Sequence, residues 1–304
     1  LIILLCFLNY LHLGVKFEVY NGWDMKRVCF LIGNLNDSGG TERVTSIIAN
    51  ELSKQGYDVS ILSLLGGNEP FFELEPVIHT YSLYPKKISF KKNFISAVWK
   101  IRQFVNQNKI ETLVVVDSIS CVFTVLALFG LKINHICWEH FNFKVDLGVS
   151  FRRIGRKIAA RYCDVIVTLT ERDKQYWLEG TKHKSQITAI ANPCPFSVQY
   201  YEKRANTKIV LAVGRLTYQK GFDLLLESWR EVNKAKTDWK LKIVGEGEDR
   251  AHLTNFIEKN ELTDSVELVG STDEISDYYK EAEIFCLSSR FEGFPMVLLE
   301  TLAF

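Results

Sequence analysis

Short apolar runs, each followed by a glycine-bearing loop and a stretch of helical period, recur along this chain and leave few folds open to it. The first run, 28–32, is almost wholly apolar, as a parallel strand buried on both faces must be. It leads through a loop holding Gly33, Gly39 and Gly40 into a helix expected over 44–53, which Gly56 ends, and then into a strand at 58–64. Strand, glycine loop, helix and strand in that order make a βαβ unit with a right-handed crossover. Runs at 112–116, 133–140, 165–171 and 187–190 continue the series, with a helix expected from about 93 to 107. Ala191-Asn192-Pro193-Cys194-Pro195 and the polar residues up to Thr207 read as a domain boundary. A second βα series follows: strands at 208–213, 239–244, 266–270 and 284–287, with an amphipathic helix over 222–233. The expected architecture is α/β, two domains with parallel sheets at 25–197 and 208–304, joined by a linker at 198–207.

Length and composition agree with that division. The 304 residues suffice for two domains of roughly 150 each. With 47% hydrophobic and 24% charged residues the composition is that of a soluble globular protein, and a net charge of +1 points to no nucleic-acid partner. The charge is unevenly spread: residues 1–200 carry a net +6 and residues 201–304 a net −5. Only the first half is thus suited to face something anionic. Tyr84-Pro85-Lys86-Lys87-Ile88-Ser89-Phe90-Lys91-Lys92 mixes lysines and aromatics, a composition that fits anionic lipid headgroups. Arg152, Arg153, Arg156, Lys157 and Arg161 form a second basic cluster at helical spacing. A solvated helix face is the plainer reading of both.

The seven cysteines (Cys6, Cys29, Cys121, Cys137, Cys163, Cys194 and Cys286) are scattered, odd in number and mostly set in apolar runs. No Cys-x-x-Cys pair occurs, so their spacing indicates neither a zinc site nor a disulfide framework. Residues 1–13 are apolar but interrupted by Asn9 and His12, and shorter than the ~20 residues of a membrane span. Because Met25-Lys26-Arg27 opens directly into the first strand, residues 1–24 are expected to be an extension from a mis-set start. A membrane-anchoring peptide is the alternative.

Four places offer chemistry. Gly39 and Gly40 lie where a helix starts and let a ligand approach the backbone closely. The loop lacks the Gly-x-Gly-x-x-Gly spacing of dinucleotide folds, which argues against a nicotinamide oxidoreductase. His140 falls at the carboxyl end of its strand, the edge where open parallel sheets bind ligands. Arg215 and Lys220, in Gly214-Arg215-Leu216-Thr217-Tyr218-Gln219-Lys220-Gly221, supply cations suited to a diphosphate. The last segment, 288–304, runs from a strand through Glu292, Gly293, Phe294 and Pro295 into an apolar helix, with Glu300 in its second turn. Pro295 suits the first helical position, and the N–H groups of about Met296 to Leu298 would face an anion. Two carboxylates would repel a phosphate and fit hydroxyls better. An ordinary βα unit with two solvated acids is the other reading.

The closing segment resembles the Glu-x7-Glu motif of family 4 retaining glycosyltransferases, which have the GT-B fold. Gly-Arg-Leu-x-x-x-Lys-Gly, the Gly39-Gly40 loop, His140 and Gly245-Glu246-Gly247 match further motifs of that family, in its order. The resemblance implies two Rossmann-like domains facing across a cleft, with a nucleotide-diphosphate sugar as donor substrate and neither a separate cofactor nor a bound metal. It implies that Glu292 and His140 contact the transferred sugar, that Glu300 contacts the ribose, and that Arg215, Lys220, Gly293, Phe294, Pro295, Gly39 and Gly40 line the donor site. With the basic first half, it further implies a lipid-linked saccharide acceptor and a cytoplasmic protein peripheral on the inner face of the membrane. The family normally continues beyond the motif helix in which Phe304 lies, so the second domain is expected to be incomplete. A GT-B sugar-nucleotide epimerase and a non-catalytic nucleotide-sugar-binding subunit stay open.

Overall fold

A computed structural model describes residues 26–146, 148–196, 206–235, 238–272 and 274–304. The extension at 1–24 and most of the linker at 198–207 lie outside the described residues. The chain forms two compact units, Leu1–Pro193 and Cys194–Phe304.

The first unit is built on a seven-stranded, all-parallel sheet in the order β3-β2-β1-β4-β5-β6-β7. The strands are β1 (Arg27–Ile32), β2 (Asp58–Ser63), β3 (His79–Ser82), β4 (Thr112–Val116), β5 (Asn134–Trp138), β6 (Val165–Thr168) and β7 (Gln186–Ala189). The helices that cover it are α1 (Gly40–Lys54), α2 (Phe94–Gln107), α3 (Cys121–Leu128), α4 (Ser150–Tyr162) and α5 (Glu171–Gly180). Central strands covered on both faces lose all solvent contact: Cys29, Phe30, Leu31, Leu113 and Val115 are fully buried. The strand order reverses between β1 and β4, so the loops leaving those two strands part in opposite directions and open a crevice at the carboxyl edge.

The second unit repeats the plan. Its parallel sheet runs β10-β9-β8-β11, from β8 (Ile209–Val213), β9 (Lys240–Val244), β10 (Val266–Gly270) and β11 (Ile284–Phe285). Helices α6 (Phe222–Ala235), α7 (Arg250–Lys259), α8 (Ile275–Glu281) and α9 (Met296–Leu302) join or follow them. Leu226 and Trp229 of α6 pack with Leu241 and Ile243 of β9 in its core. Here the order reverses between β8 and β11.

Three local expectations need correction. Helix α1 starts at Gly40 rather than Val44, with Gly39 as its extended N-cap residue. Gly40 and Thr41 are weak helix formers, but a first turn asks little of propensity because its N–H groups have no intrahelical partner anyway. Strand β5 ends at Trp138, which leaves His140 two residues into the loop. Pro295 is the N-cap of α9 rather than its first helical residue, and its carbonyl accepts the Leu298 N–H at 3.1 Å. The run of free N–H groups is therefore shorter than Met296 to Leu298.

Candidate active site

In the second unit, the loops leaving β8 and β11 flank the strand-order reversal and are tied together residue by residue. The Ser288 hydroxyl donates to the Lys220 carbonyl at 2.8 Å, the Arg290 N–H to the Gln219 carbonyl at 2.8 Å, and the Gln219 amide to the Phe291 carbonyl at 3.1 Å. The Arg290 guanidinium grips Asp223 with both terminal nitrogens, at 2.8 and 2.6 Å, and lies 4.1 Å from the centre of the Tyr218 ring. That hydrogen-bonded pairing holds the Asp223 carboxyl below its usual range. Gly221 has φ +65°, and a Cβ there would meet the Ser288 carbonyl oxygen at 2.3 Å, so only glycine lets the loops approach this closely.

These ties place Lys220 Nζ 2.7 Å from Glu292 Oε1, both side chains four-fifths or more buried. Arg215, on the same loop, is exposed and makes no hydrogen bond or ion pair among the described residues. Gly293, Phe294 and Pro295 follow Glu292, half-buried, and lead into α9. Glu300 is 4% exposed and accepts a 2.7 Å hydrogen bond from the Tyr279 hydroxyl of α8. Thus Arg215, Lys220 and Glu292 share one loop pair, while Glu300 sits deeper, on a helix.

In the first unit, Gly39 and Gly40 follow β1 and His140 follows β5, on the same carboxyl edge with β4 between them. The Gly39 backbone is extended and half-buried, and Gly40 is exposed. His140 is half-buried against Trp138, ring centroids 4.4 Å apart. Its Nε2 is sealed from solvent with no hydrogen-bond partner among the described residues, and burial pushes its pKa down to about 3. The ring is therefore neutral at physiological pH, with a buried polar atom left unsatisfied among the described residues.

The loop that carries His140 is held by a buried acid and arginine that the sequence pattern did not assign to it. Glu139 is 1% exposed and takes hydrogen bonds from the Ser118 hydroxyl at 2.5 Å, the Phe141 N–H at 3.0 Å and Arg156 Nε at 3.4 Å. Arg156, 2% exposed, also donates to the carbonyls of Phe143, Asn142 and Val145 at 2.5, 3.1 and 2.8 Å. Arg152 binds Asp117 at 2.8 Å. Asp117 caps the turn at the end of β4 with φ +78°, and burial together with neighbouring Glu139 pushes its carboxyl up to about 7 despite Arg152. The basic cluster read on α4 thus divides: Arg152 and Arg156 face inward and are neutralised, while Arg153, Lys157 and Arg161 stay exposed. An arginine pair at i, i+4 was the one available hint, and Glu139 beside His140 its partner.

Both units fit a two-domain glycosyltransferase. Residues 38–196 match the model of Glycosyltransferase Family 4, and residues 196–304 that of Glycosyl transferases group 1. The chain belongs to glycosyltransferase family 4, with the GT-B fold. It is 41% identical over 280 residues, 92% of this chain and 79% of the other, to an uncharacterized glycosyltransferase of Haemophilus influenzae. It is 29% identical over 291 residues, 92% of this chain and 77% of the other, to a GalNAc-alpha-(1->4)-GalNAc-alpha-(1->3)-diNAcBac-PP-undecaprenol alpha-1,4-N-acetyl-D-galactosaminyltransferase of Campylobacter jejuni. Among solved structures, Anabaena Alr3699/HepE in complex with UDP and glucose superposes with a TM-score of 0.72 at 14% identity, covering 92% of this chain and 78% of that one.

Proposed function

We propose that this glycosyltransferase moves a sugar from a nucleotide-diphosphate sugar to a lipid-linked saccharide, with retention at the anomeric carbon, in the building of a bacterial surface polysaccharide. The observation that carries the donor assignment is Arg215, exposed and without a hydrogen bond or ion pair among the described residues, on the loop that carries Lys220 of the Lys220–Glu292 pair at the β8/β11 reversal. A diphosphate meets there one free guanidinium and one ammonium that can exchange its carboxylate for phosphate oxygens. The UDP in the Anabaena neighbour supports a nucleotide diphosphate, and the undecaprenol diphosphate in the name of the Campylobacter relative supports the acceptor class.

In the proposed reaction Arg215 and Lys220 stabilise negative charge as it develops on the departing diphosphate. Glu292, released from Lys220, takes hydroxyls of the transferred sugar, and His140 Nε2 supplies a further hydrogen bond to it. Glu300 holds the ribose, and the Gly39-Gly40 turn lets donor and acceptor approach the backbone. The acceptor hydroxyl attacks from the face the diphosphate leaves, a leaving oxygen taking its proton, so that configuration is retained. Diphosphate charge is met by protein cations in this scheme, without a metal at the donor site.

A membrane-borne acceptor accords with one face of the first unit. Ile95 and Trp99, one turn apart on α2, are 82% and 60% exposed, and Phe129 just beyond α3 is 81% exposed. Arg102 draws the end of α3 against α2 through 2.8 Å bonds to the carbonyls of Ala127 and Phe129. Exposed Lys86, Lys87, Lys91 and Lys92 precede α2. Exposed apolar side chains on α2, with exposed lysines just ahead of it in the chain, suit an anionic bilayer at the inner face of the cytoplasmic membrane. Among the described residues no helix is long and apolar enough to cross it.

The test is a screen of nucleotide-sugars against a polyprenol-diphosphate-linked glycan, with the anomeric configuration of the product read by NMR. An α-linked product from an α-configured donor is expected; an inverted product, or epimerised donor without transfer, would refute the scheme. Sedimentation with anionic liposomes should fall on Ile95→Ser/Trp99→Ala/Phe129→Ser. Equal recovery with and without liposomes would remove the membrane assignment alone.

A further inference from the structure

Cys121, His135 and Cys163 stand far apart in the sequence, and the fold of the first unit brings their side chains into one group. Their ligating atoms all lie within 4.8 Å of one another. Cys121 opens α3, His135 lies on β5, and Cys163 directly follows α4. All three are buried, at 0%, 4% and 4% exposure. The two sulfurs are 3.9 Å apart, and Cys163 Sγ is 3.7 Å from His135 Nδ1. Cys137, two residues along β5 from His135 and on the same strand face, is a third buried sulfur in the same core.

We infer that this cluster is a structural site for a thiophilic divalent ion, zinc above all. The edges of a tetrahedral zinc site with Zn–S near 2.3 Å and Zn–N near 2.05 Å are about 3.5–3.8 Å long. The Cys121–Cys163 sulfur separation of 3.9 Å and the Cys163 Sγ–Nδ1 separation of 3.7 Å are close to those edges, and all three ligating atoms fall within 4.8 Å of one another, so an ion enters with a modest closing of the group. Thr124 fixes the third ligand. Its hydroxyl oxygen is 2.9 Å from His135 Nε2. With Nε2–H donating to that oxygen, Nδ1 is the bare nitrogen, 3.7 Å from Cys163 Sγ, which also lies 3.9 Å from Nε2. Ligating histidines are ordinarily held in this way through the other ring nitrogen.

Charge favours the same occupant. Two thiolates and a neutral imidazole make zinc(II) electroneutral, which an apolar core tolerates where a lone thiolate would be costly. Binding exchanges two thiol protons for the ion, so protons are released and no electron moves. A water would complete four-coordination without changing that charge. An ion here would link α3, β5 and α4, the elements that carry the Glu139–Arg156 network and lead to His140. The site is buried in the core of the first unit, so its part is to hold the edge in shape.

Zinc content of the purified full chain, measured by mass spectrometry after gel filtration, tests the inference. One equivalent per chain is expected. Cobalt(II) exchanged for it should give a thiolate-to-cobalt charge-transfer band, and Cys163→Ser should abolish both. Thr124→Val, which preserves shape, should weaken zinc binding about tenfold or more. Protein folded in the presence of zinc that retains none, melts at the same temperature with and without it, and gives no cobalt band would overturn the inference. A Cys121–Cys163 disulfide in zinc-saturated protein would do so too. These readouts do not depend on glycosyl transfer, so they stand or fall apart from the proposed reaction.

Discussion

Lys220 and Glu292, 72 residues apart in sequence, meet at 2.7 Å across two loops that leave neighbouring parallel strands. The cation proposed for the donor diphosphate therefore begins each cycle bound to the carboxylate proposed for the sugar. Donor binding must exchange that partner, and the exchange frees Glu292 at the moment a sugar arrives. Glu292→Gln should lower turnover strongly while nucleoside diphosphate binds as well or more tightly, since Lys220 no longer has a competing anion. Lys220→Ala should cost about a hundredfold or more in kcat/KM. Calorimetry with UDP and GDP beside steady-state kinetics separates the two effects; weaker nucleotide binding in Glu292→Gln would contradict the exchange.

Glu300 is proposed for the nucleotide side instead. Glu300→Ala should weaken nucleotide binding itself, and Tyr279→Phe, which removes the 2.7 Å hydrogen bond, should do so by a smaller factor. Tyr279→Phe should also destabilise the fold by about 1 kcal/mol. If Glu292→Ala and Glu300→Ala lost nucleotide affinity alike and nothing else, the separate role given to Glu292 would be wrong.

The Glu139–Arg156 pair is sealed in the first unit. Arg156→Met would leave a buried carboxylate without its cation and should cost about 3–5 kcal/mol of stability in urea unfolding. Replacing both, as Glu139→Gln/Arg156→Met, should recover a good part of that loss. A double variant as unstable as the sum of the two single changes would show that the pair is not coupled.

His140 gives stability a distinct pH dependence. Its pKa drops from 6.5 to about 3 on folding, so as pH falls below 6.5 the unfolded chain takes a proton the folded chain refuses. Stability is therefore lost towards acid, by about 1.4 kcal/mol between pH 7.5 and 5.5. Asp117 works in the opposite sense, because its carboxyl, raised to about 7, holds a proton when folded that the unfolded chain lacks. The measurement is thus a difference: wild type relative to His140→Gln, by urea midpoints at the two pH values. A constant difference would mean the ring is open to solvent.

Gly155 of α4 packs against the turn after β4, and a Cβ there would lie 2.3 Å from the Ser118 carbonyl oxygen, backbone that cannot swing aside. Gly155→Ala should raise helix propensity yet destabilise the unit by about 1–3 kcal/mol through overpacking, visible as a lowered urea midpoint.

The parallel strands could be read from sequence because burial on both faces writes them as unbroken apolar runs. Strand β3, His79–Ser82, could not: it is an edge strand whose residues are half-buried or exposed, and it carries no such run. The cations and carboxylates of the second unit were legible as motif residues, but not the pairing of Lys220 with Glu292, which depends on how two loops cross. Likewise Arg152 and Arg156 looked like surface charge because a linear pattern does not say which side of a helix meets a buried acid. Cys121, His135 and Cys163 escaped for the same reason, since each belongs to a different element.

Arg156 holds three carbonyls of one loop, those of Asn142, Phe143 and Val145, and the Glu139 carboxylate with one planar group. The peptide after His140 is in effect annealed to helix α4, so its conformational entropy is surrendered during folding rather than during catalysis. A sugar bound there, as proposed, would meet a finished wall. Changes in what this edge recognises must then come from side chains that point outward from the clamped segment, because its backbone has no second shape to offer.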